Sequence, residues 1–268
     1  MVPVKAIAIW AICRHCLRAV RPYGSGSSAR DVRGESWRVA DDRHALLAPE
    51  ALKTKNEIPL AQLFSIHPAN PQSRLLRQAA DIVRAGGVIV YPTDSCYALG
   101  CHIGDKIAMA RIRAIRGVSE RHHLSLVCRD LAEIAQYARV DNQQFRMLKA
   151  ATPGSYTFIL EATREVPKRL MHPSRRTIGL RVPEHNVAQA LLAELREPLL
   201  SSTLLLPGDD APLNDAEEIR SRLERQVDLV LDSGSCGITP TTVVDLTGEV
   251  PVITRVGKGS LEPLGVTA

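Results

Sequence analysis

Aromatic side chains are scarce in this chain of 268 residues, where Phe, Trp and Tyr together make up 4%. The core must therefore consist mainly of Leu, Val, Ile and Ala, which suits helices packed on a sheet better than an aromatic-rich β-sandwich. No apolar run approaches the roughly 20 residues that cross a bilayer. The apolar stretch at 6–13 is short and has no clear cleavage site behind it, so we predict neither a signal peptide nor a membrane anchor.

Cysteine is also infrequent, with six residues at irregular spacing, which argues against a disulfide framework. Cys13 and Cys16 form a C-x-x-C pair, but no second pair follows at zinc-ribbon spacing. Incidental thiols in a reducing cytosol are favoured over a zinc or redox site, so we expect a cytoplasmic protein. The net charge of +5 favours polyanionic partners such as nucleic acid or nucleotides, although plain solubility explains it equally well.

The first 62 residues differ in texture from the rest, because they combine a Gly/Ser-rich stretch with mixed charge and no clear periodicity. We predict a poorly ordered extension at 1–62 and one folded domain at 63–265. A targeting arm and an upstream start codon both explain the extension, and the second is favoured.

Helical and strand patterns alternate through the folded part, which predicts an α/β domain with helices flanking a largely buried sheet. Helices are expected from Ser73 to Gly86, at 106–116, 131–137, 142–149 and 187–195, and from Asp215 onward. Strands are expected at 88–91, 124–127, 156–160, 177–182, 198–206, 227–231, 242–246 and 250–254.

Polar residues follow the first predicted strand, in the segment 91–100. Thr93 and Tyr97 could contact a small polar ligand there, because open α/β sheets bind ligands at the carboxyl ends of strands. A turn in which the hydroxyls only cap backbone groups explains the same residues slightly better.

Two basic runs predict phosphate contacts. Arg113 and Arg116 share one face of a helix, and guanidinium groups match phosphate oxygens in bidentate fashion. His122 and His123 follow but do not have the spacing of a metal pair. The second run spans 168–176, and if the sheet brings it near the first, one electropositive surface results that suits RNA backbone.

A Gly-rich loop at 234–240 leads into Thr241 and Thr242, whose hydroxyls could hold phosphate. No Walker loop, dinucleotide fingerprint or His-Glu-x-x-His motif is present. We therefore predict no metal site, and a hydrolase of modest activity is the weakest of the functions considered.

Seven ordered stretches resemble the YrdC/YciO family, and its YciO branch in particular. They lie at 87–100, 128–131, 152–160, 177–183, 197–201, 240–246 and 255–257, and their order and spacing are specific. The resemblance implies a twisted, mostly mixed sheet with a basic concave face. It also implies the synthesis of L-threonylcarbamoyladenylate from ATP, L-threonine and bicarbonate, for tRNA modification. ATP would be a substrate, with Mg²⁺ left open, and tRNA or other structured, double-stranded RNA a partner.

The resemblance also assigns residues to the site. Thr93, Tyr97 and Arg181 would face threonine. The nucleotide would contact the remaining matched positions, which are Arg113, Arg116, Thr157, Thr203, Thr241, Thr242 and Arg255.

Three positions depart from the synthase pattern. Ala114 replaces the lysine of a Lys-x-Arg motif, Leu205 replaces the asparagine of Ser-x-Asn, and Cys128 stands where synthases carry a histidine. A non-catalytic factor that binds tRNA or rRNA is therefore the alternative to a synthase.

Overall fold

The computed structural model describes residues 60–120 and 122–265. Its helices are α1 (Ser73–Arg84), α2 (Lys106–Arg116), α3 (Leu131–Tyr137), α4 (Asn142–Ala151), α5 (Asn186–Leu195) and α6 (Ala216–Leu223). Its strands are β1 (Gln62–Ser65), β2 (Ile89–Tyr91), β3 (Ala98–His102), β4 (Ser125–Val127), β5 (Tyr156–Glu161), β6 (Thr177–Arg181), β7 (Leu199–Thr203), β8 (Leu229–Asp232), β9 (Thr242–Asp245) and β10 (Val252–Arg255).

The ten strands form one mixed sheet in the order β1-β8-β2-β3-β7-β4-β6-β5-β9-β10. Parallel pairs join β1 to β8, β8 to β2, β4 to β6 and β5 to β9. The other neighbours are antiparallel. The α/β fold with a mixed sheet and flanking helices is therefore confirmed.

Helices cover the two faces of the sheet unequally. On one face α1 and α5 pack over β2, β3 and β8, and this layer includes Leu76, Leu191 and Leu229. The larger core on the opposite face includes Ile112 of α2 and Ile219 of α6. Toward β9, the face that carries α1 and α5 instead presents polar side chains, and this uncovered area is where the main cavity lies.

Helix α2 begins and ends where the sequence predicts. The Asp105 carboxylate caps it by accepting hydrogen bonds from the backbone N–H groups of Ile107 and Ala108, at 2.7 and 2.9 Å. Gly117 ends it in a left-handed conformation with φ of 61°, which favours glycine. This end places Arg113 and Arg116 in the last turn of the helix.

The strand predictions need correction at three places. The sequence argument missed β3, because its residues are nearly all buried and lack the alternation that marks a half-buried strand. It also missed the edge strand β1, and the segment 198–206 is strand only over 199–203. Since β1 begins at Gln62, that residue belongs to the fold rather than to the predicted extension, and 1–59 lies outside the described residues.

Gly100 allows β3 to pack closely against its neighbours. A Cβ atom there would lie 2.6 Å from Leu199 Cδ2 and 2.9 Å from Tyr91 Cε1, so a methyl group overpacks the core. We expect Gly100→Ala to lower the free energy of unfolding by about 1–3 kcal/mol, measured by urea denaturation. In the control Gly248→Ala the new Cβ would come no closer than 3.6 Å to Val250 O, and its stability should change little. Equal stability of both variants would contradict the prediction.

Candidate anion-binding site

A cavity of about 250 Å³ lies on the uncovered part of the sheet. Strands β3, β4, β5, β6, β7 and β9 supply its floor, and residues after α2 and in β10 supply part of its wall. The basic side chains that line it are Arg116, Arg175, Arg181, Arg255, His122, His123 and His172. Among the described residues that line the cavity there is no Asp or Glu, although Asp94 and Asp245 pair with two of its arginines from outside the lining.

Arg181 is anchored from behind by a buried carboxylate. Its guanidinium pairs with Asp94 Oδ1 and donates to Ser95 Oγ at 3.3 Å, and both side chains of the ion pair are 8% exposed. Ser155 Oγ donates to the other Asp94 oxygen at 3.0 Å, and Lys258 Nζ donates to the Asp94 carbonyl. The buried Nε of Arg181 has no partner in the described residues. The guanidinium is thus oriented at the cavity, although a donor remains unsatisfied.

Arg116 and Arg255 reach the cavity without a carboxylate partner among the described residues. Arg116 donates to the Leu205 carbonyl at 2.5 Å, and Arg255 donates to the Thr241 carbonyl at 2.9 and 3.0 Å. Burial lowers the pKa of both, and each is lowered further by a neighbouring guanidinium, that of Arg255 for Arg116 and that of Arg181 for Arg255. An anion placed between them would relieve this repulsion.

Strand alternation separates the threonines that the sequence grouped together. Thr157 Oγ1 and Thr241 Oγ1 lie 2.8 Å apart on the cavity floor, and Thr203 also lines the cavity. Thr242 is fully buried on the opposite face, where its hydroxyl donates to the Gly259 carbonyl at 2.7 Å. Successive side chains of a strand point to opposite faces, so Thr241 and Thr242 cannot both face one ligand.

Neither Thr93 nor Tyr97 is among the residues that line the cavity. Thr93 Oγ1 donates to the Cys96 carbonyl at 2.6 Å and so closes the turn that carries Asp94, as the turn hypothesis anticipated. Tyr97 is fully buried and donates to the Gly234 carbonyl at 2.8 Å, and burial raises its pKa. Both residues hold neighbouring backbone through these hydrogen bonds and lie outside the cavity lining. Their contact with threonine stays a prediction.

Of the arginines that the sequence expected to converge, Arg116, Arg181 and Arg255 line one cavity, whereas Arg113 is not part of the lining. Burial is the main cause that lowers the pKa of His122 and of His123, and the charge of Arg113 adds the smallest contribution to both. The sequence argument missed His172 and Arg175 as cavity residues, although the second basic run contains them. Their approach to the first run depends on the pairing of β4 with β6, which residue types alone do not specify.

The described residues include no group of three or more His, Cys, Asp or Glu side chains placed to hold a metal ion. Within this part of the chain, none of the helices combines the length and apolarity needed to span a bilayer. The sulfur atoms of Cys96, Cys101, Cys128 and Cys236 are free thiols.

Fold and cavity together define an open-sheet α/β protein with a basic cavity on one face of its sheet, and the chain belongs to the Sua5/YciO/YrdC family. The model of that family, which is described as telomere recombination, matches residues 81–257. The chain is 56% identical over 204 residues to YciO of Escherichia coli, across 76% of this chain and 99% of YciO. The crystal structure of that YciO superposes with a TM-score of 0.74, over the same shares of the two chains.

More distant relatives include threonylcarbamoyl-AMP synthases. Those of Chromobacterium violaceum and Homo sapiens are 33% and 30% identical, over 67% and 65% of this chain and 92% and 62% of their own lengths. Sua5 of P. abyssi complexed with L-threonine has a TM-score of 0.69 at 24% identity, over 75% of this chain and 59% of Sua5, which shows the shared fold. The chain is thus related to the synthases and more similar to YciO.

We expect Asp94→Asn to destabilise the protein by about 3–5 kcal/mol, because it leaves the buried Arg181 guanidinium without its counter-charge. Chemical denaturation measures the change. Asp210→Asn removes an exposed carboxylate that makes no ion pair in the described residues, and it serves as the control. A loss of less than about 1 kcal/mol for Asp94→Asn would show that the ion pair does not hold the site together.

Proposed function

We propose that the cavity binds ATP and that the protein catalyses nucleotidyl transfer of the threonylcarbamoyl-AMP synthase type, as a step in tRNA modification. The observation that carries the proposal is the pair of guanidinium groups, those of half-buried Arg116 and exposed Arg255, that face one cavity without a carboxylate partner in the described residues. Keeping like charges this close costs free energy, which a polyphosphate would recover. Kinship with the synthases makes ATP the polyphosphate of choice.

The reaction takes place between the substrates, and the protein forms no covalent bond with them. The amine of threonine and bicarbonate form a carbamate, and the displaced oxygen of bicarbonate leaves as water. A carbamate oxygen then attacks the α-phosphorus of ATP. The new P–O bond replaces the bond to the bridging oxygen, and pyrophosphate leaves with that electron pair. Negative charge accumulates on the phosphate oxygens, where fixed guanidinium groups stabilise it best.

Different arginines of the cavity would bind the different substrates. Arg116 and Arg255 lie on the side of Leu205 and Thr241 and would hold the triphosphate, with Thr157, Thr203 and Thr241 as hydroxyl partners. Arg181 would bind the carboxylate of L-threonine, because Asp94 and Ser95 fix its orientation. Any Mg²⁺ would travel with the nucleotide and be bound by its phosphates, since the described residues present no metal cluster.

One of the departures from the synthase motif lies at the site itself. Leu205 lines the cavity and offers Arg116 only its backbone carbonyl, so it cannot provide the amide of the synthase pattern. Ala114 is exposed on α2. Each lost hydrogen bond is worth about 1–3 kcal/mol, so the rate of adenylate formation should be well below that of a synthase with the full motif.

The decisive experiment incubates the purified protein with ATP, L-threonine and bicarbonate and measures pyrophosphate and threonylcarbamoyladenylate. We expect product above a protein-free blank, and a loss of about 10- to 100-fold in Arg255→Ala, because a charge-assisted contact with phosphate is removed. Arg146→Ala is the matched control, since Arg146 is exposed on α4 and makes no ion pair in the described residues.

A further variant of the same assay tests the departure at the cavity. Leu205→Asn restores the motif amide and should raise product formation above that of the unaltered protein. If neither protein forms the adenylate while a known synthase does so in parallel, the enzymatic proposal is wrong.

A second candidate function, RNA binding without catalysis, is favoured by a separate basic depression. This depression of about 680 Å³ is lined by Arg139, Arg164, Lys168, Arg176 and His172, and His172 also lines the main cavity. Arg139 pairs with Glu161 at 3.3 Å, but Arg164, Lys168 and Arg176 make no ion pair with any described residue. A phosphodiester backbone could therefore follow these cations away from the main cavity.

Charge reversal tests this second function. We expect Arg164→Glu/Lys168→Glu to weaken binding of duplex RNA at least tenfold and to lower the slope of log K against log salt by about two, because two phosphate contacts are lost. Arg74→Glu/Arg225→Glu reverses two exposed arginines without ion pairs in the described part of the chain, at the same change of net charge. Equal weakening by both double variants would mean that only overall charge matters.

A further inference from the structure

Three histidines line the cavity beside its arginines. His122 and His123 lie between α2 and β4, and His172 lies just before β6. The rings of His123 and His172 are in contact, with centroids 4.8 Å apart and planes tilted by 32°. The imidazole contact between His123 and His172 therefore joins the two loops that carry the basic runs, on the wall of the proposed phosphate site.

Backbone contacts fix the Nδ1 atom of His172. Its Nδ1 accepts hydrogen bonds from the backbone N–H groups of Ser174 and Arg175, at 3.2 and 3.1 Å. A nitrogen that accepts cannot also carry a proton, so the proton of the neutral ring is assigned to Nε2. Both bonds tie the ring of His172 to the loop that leads into β6.

His123 is under no such constraint. Neither of its ring nitrogens makes a hydrogen bond with a described residue, so the ring is free to gain a proton. Its charged and titratable neighbours are Arg113 from α2, the adjacent His122, and His172 and Arg175 from the loop before β6. Asp245 of β9 is in turn paired with Arg175 at 3.1 Å and partly offsets its charge.

These neighbours favour a neutral His123 in the empty cavity. Burial lowers its pKa below the ordinary value, and the proximity of His172 and Arg175 lowers it further. A phosphate beside the ring has the opposite effect, because a negative charge favours the imidazolium form. The pKa of His123 must therefore rise when the cavity is filled by an anion, which couples binding to proton uptake.

We propose that His123 is a proton-accepting phosphate ligand, and that anion binding in the cavity takes up one proton at this ring. The proposal rests on the proposed binding of ATP in the same cavity. It adds a pH-dependent contribution to affinity that the permanently charged guanidinium groups cannot provide.

His122 is the competing site for the proton. It also lines the cavity, but burial and then Arg116 are the main causes that lower its pKa. Since Arg116 stays charged, it opposes protonation of His122 throughout. After burial and His172, the next neighbour that lowers the pKa of His123 is Arg175, whose charge is partly offset by its ion pair with Asp245.

Calorimetric titration with ATP in buffers of different ionisation enthalpy measures the protons taken up on binding. The full-length protein, His123→Gln and His122→Gln are compared at pH 6, 7 and 8.5. The terminal phosphate of ATP also titrates in this range, so the quantity of interest is the difference between proteins at each pH. We expect His123→Gln to lose up to one proton of uptake, and His122→Gln to retain it.

The affinity for ATP should also differ between the unaltered protein and His123→Gln, and this difference should grow as the pH falls. Proton uptake strengthens binding as the pH falls, so the unaltered protein should gain about tenfold over His123→Gln between pH 8.5 and 6. Equal uptake in His123→Gln and the unaltered protein, or loss of uptake in His122→Gln instead, overturns the inference while leaving the ATP site intact. Absence of ATP binding at every pH overturns the ATP site, and this inference with it.

Discussion

The ion pair between Asp94 and Arg181 is the interaction on which the site depends. It is buried, and it joins the turn after β2 to the end of β6, two segments that are far apart in the sequence. Ser155 and Lys258 bind the same aspartate, so four separate stretches of chain meet at one residue. A buried charge with one partner removed is costly, and the pair therefore holds Arg181 in a single orientation.

Around that anchor the cavity concentrates positive charge that the described residues do not neutralise. Two of its four arginines have carboxylate partners, Asp94 for Arg181 and Asp245 for Arg175. Arg116 and Arg255 bind only backbone carbonyls and a threonine hydroxyl. This imbalance is the physical argument for the proposed phosphate ligand, and it does not depend on the departures from the synthase motif. Leu205 and Ala114 bear on the reaction rate, whereas the guanidinium groups bear on binding.

The sequence relatives and the geometry of the cavity are compatible with one another. The chain is more similar to YciO than to the threonylcarbamoyl-AMP synthases. Of its departures from the motif, Leu205 lines the cavity, whereas Cys128 is buried in the core and Ala114 is exposed on α2. The histidine pair joins the main cavity to a second basic depression, since His172 lines both. A protein that binds nucleotide in the first and RNA backbone in the second would need no further basic surface.

Local signals in the sequence were sufficient for most of the helices and several strands. The cap at Asp105, the left-handed Gly117 and the apolar periodicity predict α2 with its observed limits, because these effects act within a few residues. Strands without alternation, such as β3, were missed because burial on both faces depends on distant partners. The turn chemistry of Thr93 was also readable locally, as its bonds stay within three residues.

Residue types alone determined that this chain would be an α/β protein with several arginines available for phosphate. Only the tertiary structure decided which of them share a cavity, since this depends on strand order and on the side of each strand that faces the ligand. Hence Arg116, Arg181 and Arg255 meet, Arg113 lies apart, and Thr242 turns away from Thr241. Long-range pairing of strands specifies these positions, and no local pattern encodes it.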